Sequence, residues 1–148
     1  MIGKIKYAPG TIASLITCLL FLLLINIFNI EIIFLITLII FFYSFHAINN
    51  SFNEFKSEDP QEIVIDEFVG QMLTLLAIPI YETLYPLPII YYCVAAFLLF
   101  RLFDIWKPYP ISYIDDNTSG PLGIMLDDII ASIYSILILI LIFFFFGG

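Results

Sequence analysis

The stretch DDIIASIYSILILILIFFFF, residues 127–146, joins a pair of acidic residues directly to a long, uncharged and mostly apolar run. The run over residues 129–146 is about long enough to cross the hydrocarbon core of a bilayer, which takes roughly 17 to 25 residues of helix. A soluble core has little use for a run of this length in so short a chain. The stretch therefore predicts a membrane helix with acidic residues at one end.

The composition agrees with a membrane protein. Of 148 residues, 62% are hydrophobic and 12% are charged, whereas soluble domains carry about 25% charged residues. The length suits a single domain over residues 1–148. The formal net charge is −8, with no basic cluster to displace counterions from a phosphate backbone, which excludes nucleic acid as a partner.

Four more apolar segments precede the last one, over residues 11–28, 32–48, 68–81 and 87–103. The third is short and spans a bilayer only if its polar start lies at the membrane boundary. We therefore predict an all-α, polytopic membrane protein with four to five transmembrane helices. Cys18 and Cys93 lie inside apolar segments, which predicts buried free thiols and no disulfide or zinc site.

The charges fall on one side of this alternation of helices. All five basic residues precede the first segment, join the second to the third or flank the start of the long connection after the fourth; they are Lys4, Lys6, Lys56, Arg101 and Lys107. Eleven of the thirteen acids share that side, the exceptions being Glu31 and Glu82. The positive-inside rule then predicts a cytoplasmic N-terminus. No cleavage site of small residues follows the first apolar run, which predicts that it is retained as a helix.

Adjacent acids open the third segment, at Asp66 and Glu67. They either complement the positive end of a helix dipole or supply hard oxygen ligands for Mg²⁺. Gly70, one turn after Asp66, leaves space for a neighbouring helix or a ligand.

Arg101 and Asp104 end the fourth segment and share a helix face because they are three residues apart. Pro108 disfavours helix at the residue before it, so we expect the helix to end near Trp106. The bases could simply fix topology, or Arg101 could simply pair with Asp104. A role in binding phosphate is the other interpretation of Arg101 and Lys107.

The long connection over residues 104–126 carries more acids, and connections of this length are usually functional. Asp115 and Asp116 lie within it, and its Gly and Pro residues predict a turn before the last helix. Asp127 and Asp128 are then expected in the first turns of that helix.

The first helix opens with Pro9-Gly10-Thr11 and Ser14. Free backbone N–H groups at a helix start bind anions, although Thr11 could equally be only an N-cap. So many carboxylates would repel a phosphate unless a divalent cation lay between them, which is the logic of metal-assisted phosphoryl transfer.

These motifs together resemble the phosphatidylglycerophosphatase A family. The matching pieces, in order along nearly the whole chain, are PGT at 9–11, IDEFVG at 65–70, RLFDIWKP at 101–108 with Pro110-Ile111, and GIMLDD at 123–128. Ala13 and Ser119 depart from the pattern, since the family commonly has glycine at both. The resemblance implies a helical, Mg²⁺-dependent enzyme of the bacterial inner membrane. Such an enzyme converts phosphatidylglycerophosphate to phosphatidylglycerol and inorganic phosphate.

On this resemblance we expect five residues to serve as metal ligands and catalytic groups: Asp66, Glu67, Asp104, Asp127 and Asp128. The expected substrate-binding residues are Thr11, Ser14, Arg101, Lys107, Asp115 and Asp116. The alternatives are a small ion-binding transporter without enzymatic activity, and a phospholipid headgroup transferase whose spaced aspartate pattern is absent. The nucleophile, water or an aspartate, and the oligomeric state, a homo-oligomer included, stay open.

Overall fold

A computed structural model describes residues 9–54 and 64–147 of the chain, with the side chains of 49–54 left aside. Lys4, Lys6 and Lys56, on which part of the orientation argument rests, lie outside the described residues. Along the described residues the chain forms seven helices and no strand. They are α1 (Pro9–Leu24), α2 (Ile30–Glu54), α3 (Ile65–Leu76), α4 (Ile78–Leu84), α5 (Ile89–Trp106), α6 (Ile111–Asn117) and α7 (Gly120–Gly147). The predicted all-α class is confirmed.

Within the part of the chain that the structure describes, three helical stretches are long and apolar enough to cross a membrane: Ile30–Ile48, Ile89–Trp106 and Gly120–Gly147. The apolar helix α1 is shorter, at 16 residues. Large apolar side chains such as Leu19, Phe42 and Leu98 are more than half exposed. Such a surface is unusual for a soluble protein and suits lipid contact. The predicted class of helical membrane protein is confirmed, and the count of four to five spans stays a prediction.

The third apolar segment is two helices rather than one. Helix α3 ends at Leu76 and α4 begins at Ile78, with Ala77 between them. Pro79 lies in the first turn of α4, where a missing N–H costs little, but within one continuous helix it would remove a hydrogen bond. Helix α3 packs against α1, α2, α5 and α7, so it forms the centre of the bundle.

The last helix begins earlier than predicted. The expected turn at residues 120–126 is instead the start of α7, which begins at Gly120, and the connection before it contains α6. Asp127 and Asp128 therefore lie about two turns inside the helix, and the expectation that they occupy its first turns is wrong. Pro121 is the second residue of α7, a position that proline favours.

The end of α5 follows the prediction. The helix ends at Trp106, and Lys107 caps it in the left-handed conformation, with φ of 46°. A side chain at positive φ costs free energy, so the surrounding contacts must hold this turn. The buried free thiols of Cys18 and Cys93 are likewise confirmed.

The bundle has an aromatic end and an acidic end. Tyr81, Tyr92 and Phe143 pack together with ring centroids 5.2 to 6.2 Å apart, where α4 and α7 end and α5 begins. At the opposite end of the bundle α1 and α3 begin, α5 ends and α7 carries its two aspartates. Glu31 and Glu82 are exposed and do not belong to that acidic end.

Gly70 lets three helices approach closely at the acidic end. A Cβ atom at Gly70 would lie 2.7 Å from the ring of Phe100 on α5 and 3.1 Å from the carbonyl oxygen of Asp128 on α7. Phe100 is fully buried and cannot easily yield. The space predicted beside Gly70 is thus used by neighbouring helices.

We therefore expect Gly70→Ala to destabilise the protein by about 1 to 3 kcal/mol, because overpacking would push α3 away from α5 and α7. Thermal unfolding in detergent measures the loss. Phe100→Leu removes the ring atoms in question, so the double variant should lose less than the sum of the two single variants. An unchanged midpoint for Gly70→Ala would contradict this packing.

Candidate active site

Three carboxylates converge at the acidic end of the bundle. Asp66 and Glu67 come from the first turn of α3, and Asp128 comes from α7. Each offers one oxygen atom, and these oxygens lie within 4.8 Å of one another. One oxygen of each side chain is buried and has no hydrogen-bond partner among the described residues. Hard oxygen donors in this arrangement fit a divalent cation such as Mg²⁺.

The raised pKa values of the two acids on α3 also favour a bound cation. Burial raises the pKa of the Asp66 carboxyl well above its usual range, and the adjacent Glu67 raises it further. Burial also raises the pKa of Glu67, with a smaller upward contribution from the charge of Asp104. Acids placed this way resist ionisation unless a positive charge offsets them. A bound cation would supply that charge.

Arg101 supplies a positive charge from the protein itself. Its guanidinium forms an ion pair with Asp104, and both side chains are mostly buried. The Nη1 atom makes this ion pair, and the buried Nε atom has no hydrogen-bond partner within the described part of the chain. The guanidinium therefore keeps donors for an anion, which suits the predicted role in binding phosphate.

Gly10 lets the start of α1 approach Glu67 and Arg101 closely. A Cβ atom at Gly10 would overlap the Oε1 atom of Glu67 and approach the Nη1 atom of Arg101 to 3.1 Å. The start of α1 therefore contacts the carboxylate and the guanidinium directly. Thr11 is half-buried beside it, and Ser14, one turn further on, is fully buried.

Lys107 organises a second group at the edge of the site. Its Nζ atom donates to Asp115 at 2.7 Å and to Asp127 at 2.8 Å. Burial by itself would lower the pKa of Lys107, but these two hydrogen bonds to carboxylates outweigh it and raise the pKa. The left-handed turn at Lys107 thus ties α6 to α7, and the lysine remains charged at neutral pH.

The structure divides the predicted residues into groups. It brings Asp66, Glu67 and Asp128 together, and it pairs Asp104 with Arg101 and Asp127 with Lys107. Asp115 contacts Lys107 and is partly exposed, and Asp116 is exposed on α6. The resulting site combines a cation-binding acidic group with a guanidinium, which is the chemistry needed to bind and polarise a phosphate.

One residue at this site was given no role from the sequence. Gln71 is fully buried on α3, and neither polar atom of its amide has a partner among the described residues. The signal available in the sequence is a glutamine four residues after Glu67, in the mainly apolar part of α3, and only its burial distinguishes it from an ordinary polar residue.

The chain is similar to known proteins along most of its length. Residues 1–143 match the phosphatidylglycerophosphatase A family. A phosphatidylglycerophosphatase A of Haemophilus influenzae is 35% identical over 136 residues, covering 92% of this chain and 79% of the relative. The Escherichia coli protein of that name is 42% identical over 77 residues, covering 52% of this chain and 41% of the relative.

A further relative carries a different name. A Bacteroides thetaiotaomicron protein, provisionally named a phosphatidylinositol-3-phosphatase, is 31% identical over 140 residues, covering 93% of this chain and 84% of the relative. No solved structure matches the chain. The match over residues 1–143 and the relatives that align along most of the chain establish that this protein belongs to the phosphatidylglycerophosphatase A family.

Proposed function

We propose that this protein hydrolyses phosphatidylglycerophosphate to phosphatidylglycerol and inorganic phosphate, with Mg²⁺, at the cytoplasmic face of the bacterial inner membrane. The observation that carries the proposal is the group of Asp66, Glu67 and Asp128 beside Arg101, in a chain of this family. Family membership favours this activity, and the comparisons give no support to a transporter.

Different residues of the site would bind the cation and the phosphate. Asp66, Glu67 and Asp128 would hold Mg²⁺, which when bound neutralises phosphate oxygens and acidifies water. Arg101, oriented by Asp104, would donate to the phosphate. Thr11 would assist from the start of α1, where it follows Gly10. Hydrolysis breaks the bond between phosphorus and the glycerol oxygen, transfers the oxygen of water to phosphorus and returns a proton to the glycerol oxygen.

Lys107 would bind the headgroup from the edge of the site. It lies between Asp115 and Asp127, and its side chain is about a quarter exposed. Asp115 and Asp127 would hold it in place, and the exposed Asp116 would contact the headgroup or water.

The name of the Bacteroides thetaiotaomicron relative supports a phosphatidylinositol phosphate as a second candidate substrate. Both lipids carry a phosphomonoester on a polyol headgroup, so the same cation and guanidinium could serve either. The family match and two relatives named for phosphatidylglycerophosphate favour that lipid. An assay of phosphate release from each lipid in turn decides between them.

We expect Asp66→Asn and Asp128→Asn to lower phosphate release at least about 100-fold, because outer residues of metal sites alone are worth 10 to 100-fold. A chelator should abolish the activity of the unaltered protein, and added Mg²⁺ should restore it. The measurement is phosphate release from phosphatidylglycerophosphate in mixed micelles.

The matched controls are Glu31→Gln and Glu82→Gln, which neutralise exposed acids away from the acidic end. Both should retain activity. Full activity in Asp66→Asn and Asp128→Asn would refute the site, and activity that survives chelation would refute the need for a metal.

The cytoplasmic orientation predicts a labelling pattern. In a background with Cys18→Ala and Cys93→Ala, an impermeant maleimide added to right-side-out membrane vesicles should label the cysteine of Glu82→Cys. The same reagent should label the cysteine of Asn117→Cys, at an exposed position of α6, only after the membrane is permeabilised. The reverse pattern would place the acidic end outside the cell.

A further inference from the structure

Gln71 is a buried polar residue whose amide makes no hydrogen bond within the described part of the bundle. Its side chain is completely buried, and both its amide nitrogen and its amide oxygen lack a hydrogen-bond partner among the described residues. Burying an amide without partners is strongly unfavourable, and native proteins rarely leave such groups unpaired. An apolar side chain would be the more stable choice here if the amide stayed unpaired, so we expect the amide to bind a group other than the described residues.

Gln71 lies one turn after Glu67 on α3. It follows Glu67 by four residues and so lies on the same face of α3. Long side chains in helices lean toward the N-terminal end, which directs Gln71 toward the turn that holds Glu67. The amide is therefore expected one turn below Glu67, on the same face of α3.

Ser14 meets the same region from α1. It follows Gly10 by four residues, and Gly10 contacts Glu67. Helices α1 and α3 pack together and both begin at the acidic end, so Ser14 and Gln71 are each one turn below that contact. The Oγ atom of Ser14 is fully buried and also lacks a partner.

Other buried hydroxyls in this bundle are satisfied by their own helices. Thr17 donates to the carbonyl of Ala13 at 2.8 Å, Thr74 to that of Gly70 at 3.1 Å, and Ser135 to that of Ala131 at 2.8 Å. Ser14 does not make this bond although it is equally buried. The unpaired groups at the described helix interfaces therefore concentrate around the acidic site instead of following from burial in general.

We propose that Gln71 and Ser14 are positioning residues that hold the water ligands of the cation bound by Asp66, Glu67 and Asp128. This inference rests on the proposed Mg²⁺ site. Mg²⁺ takes six ligands and keeps several waters, and such waters donate hydrogen bonds. The Gln71 Oε1 and Ser14 Oγ atoms can accept them, while the Gln71 Nε2 atom can donate to a carboxylate oxygen.

The proposal predicts opposite effects on metal binding and on stability. Gln71→Met keeps the length of the side chain and removes both unpaired polar atoms. We expect the Mg²⁺ affinity of the purified full chain to fall about tenfold or more, as for other outer residues of metal sites. In chelator, the unfolding midpoint should stay level or rise, because the buried amide no longer lacks partners.

Calorimetric titration with Mg²⁺ alone and thermal unfolding in chelator measure the two effects. Thr74→Val is the control: it removes a buried hydroxyl from the same helix, but one that is bonded to Gly70. Its Mg²⁺ affinity should equal that of the unaltered protein. Ser14→Ala should weaken Mg²⁺ binding in the same direction as Gln71→Met.

Mg²⁺ affinity within twofold of the unaltered protein in both Gln71→Met and Ser14→Ala would overturn the inference, and so would a lowered midpoint in chelator with affinity retained. If Gln71→Met does not fold, Ser14→Ala decides alone. Phosphate release by the unaltered protein tests the function separately. A protein that binds Mg²⁺ but releases no phosphate would refute the function and leave this inference standing.

Discussion

Repulsion between three buried carboxylates is the constraint on which the acidic end depends. Oxygens of Asp66, Glu67 and Asp128 lie within 4.8 Å of one another. At an effective dielectric constant near 20, two full charges at that distance repel by roughly 3 to 4 kcal/mol. The three can ionise together only if a cation offsets them. An arrangement that is costly without a cation is therefore one that binds a cation well.

The protein's own bases pair with three other acids of the site. Arg101 pairs with Asp104, while Lys107 pairs with both Asp115 and Asp127 and offsets only one of their two charges. These contacts separate the acids that contact a base of the protein from those left for a ligand. Arg101 retains free donors because one carboxylate does not satisfy its guanidinium. An anion that approaches the cation thus meets a second positive charge.

Small residues bring the helices close enough for this arrangement. Gly10 admits Glu67 and Arg101 to the start of α1, and Gly70 admits Phe100 and the backbone of α7. Larger side chains at either position would separate the elements that supply the acids. In a bundle surrounded by lipid, close packing of helices contributes more to association than apolar burial does. The geometry of the site and the packing of the bundle therefore depend on the same contacts.

The sequence alone determined the class of the protein and the gathering of acids at one end. Long uncharged apolar runs can be stable only in lipid. The positions of the acids relative to the ends of these runs can be read directly from the sequence. It did not reveal that the third segment breaks at Ala77, or that α7 begins at Gly120, because proline and glycine mark helix starts as readily as turns.

Only the tertiary structure decided which acids meet. Adjacent aspartates such as Asp127 and Asp128 point in different directions around a helix, and so one joins Lys107 and the other joins Asp66 and Glu67. The same is true of Gln71, whose lack of partners is a property of burial and not of residue type. Contacts between distant segments depend on how helices pack, and that information is spread over the whole chain.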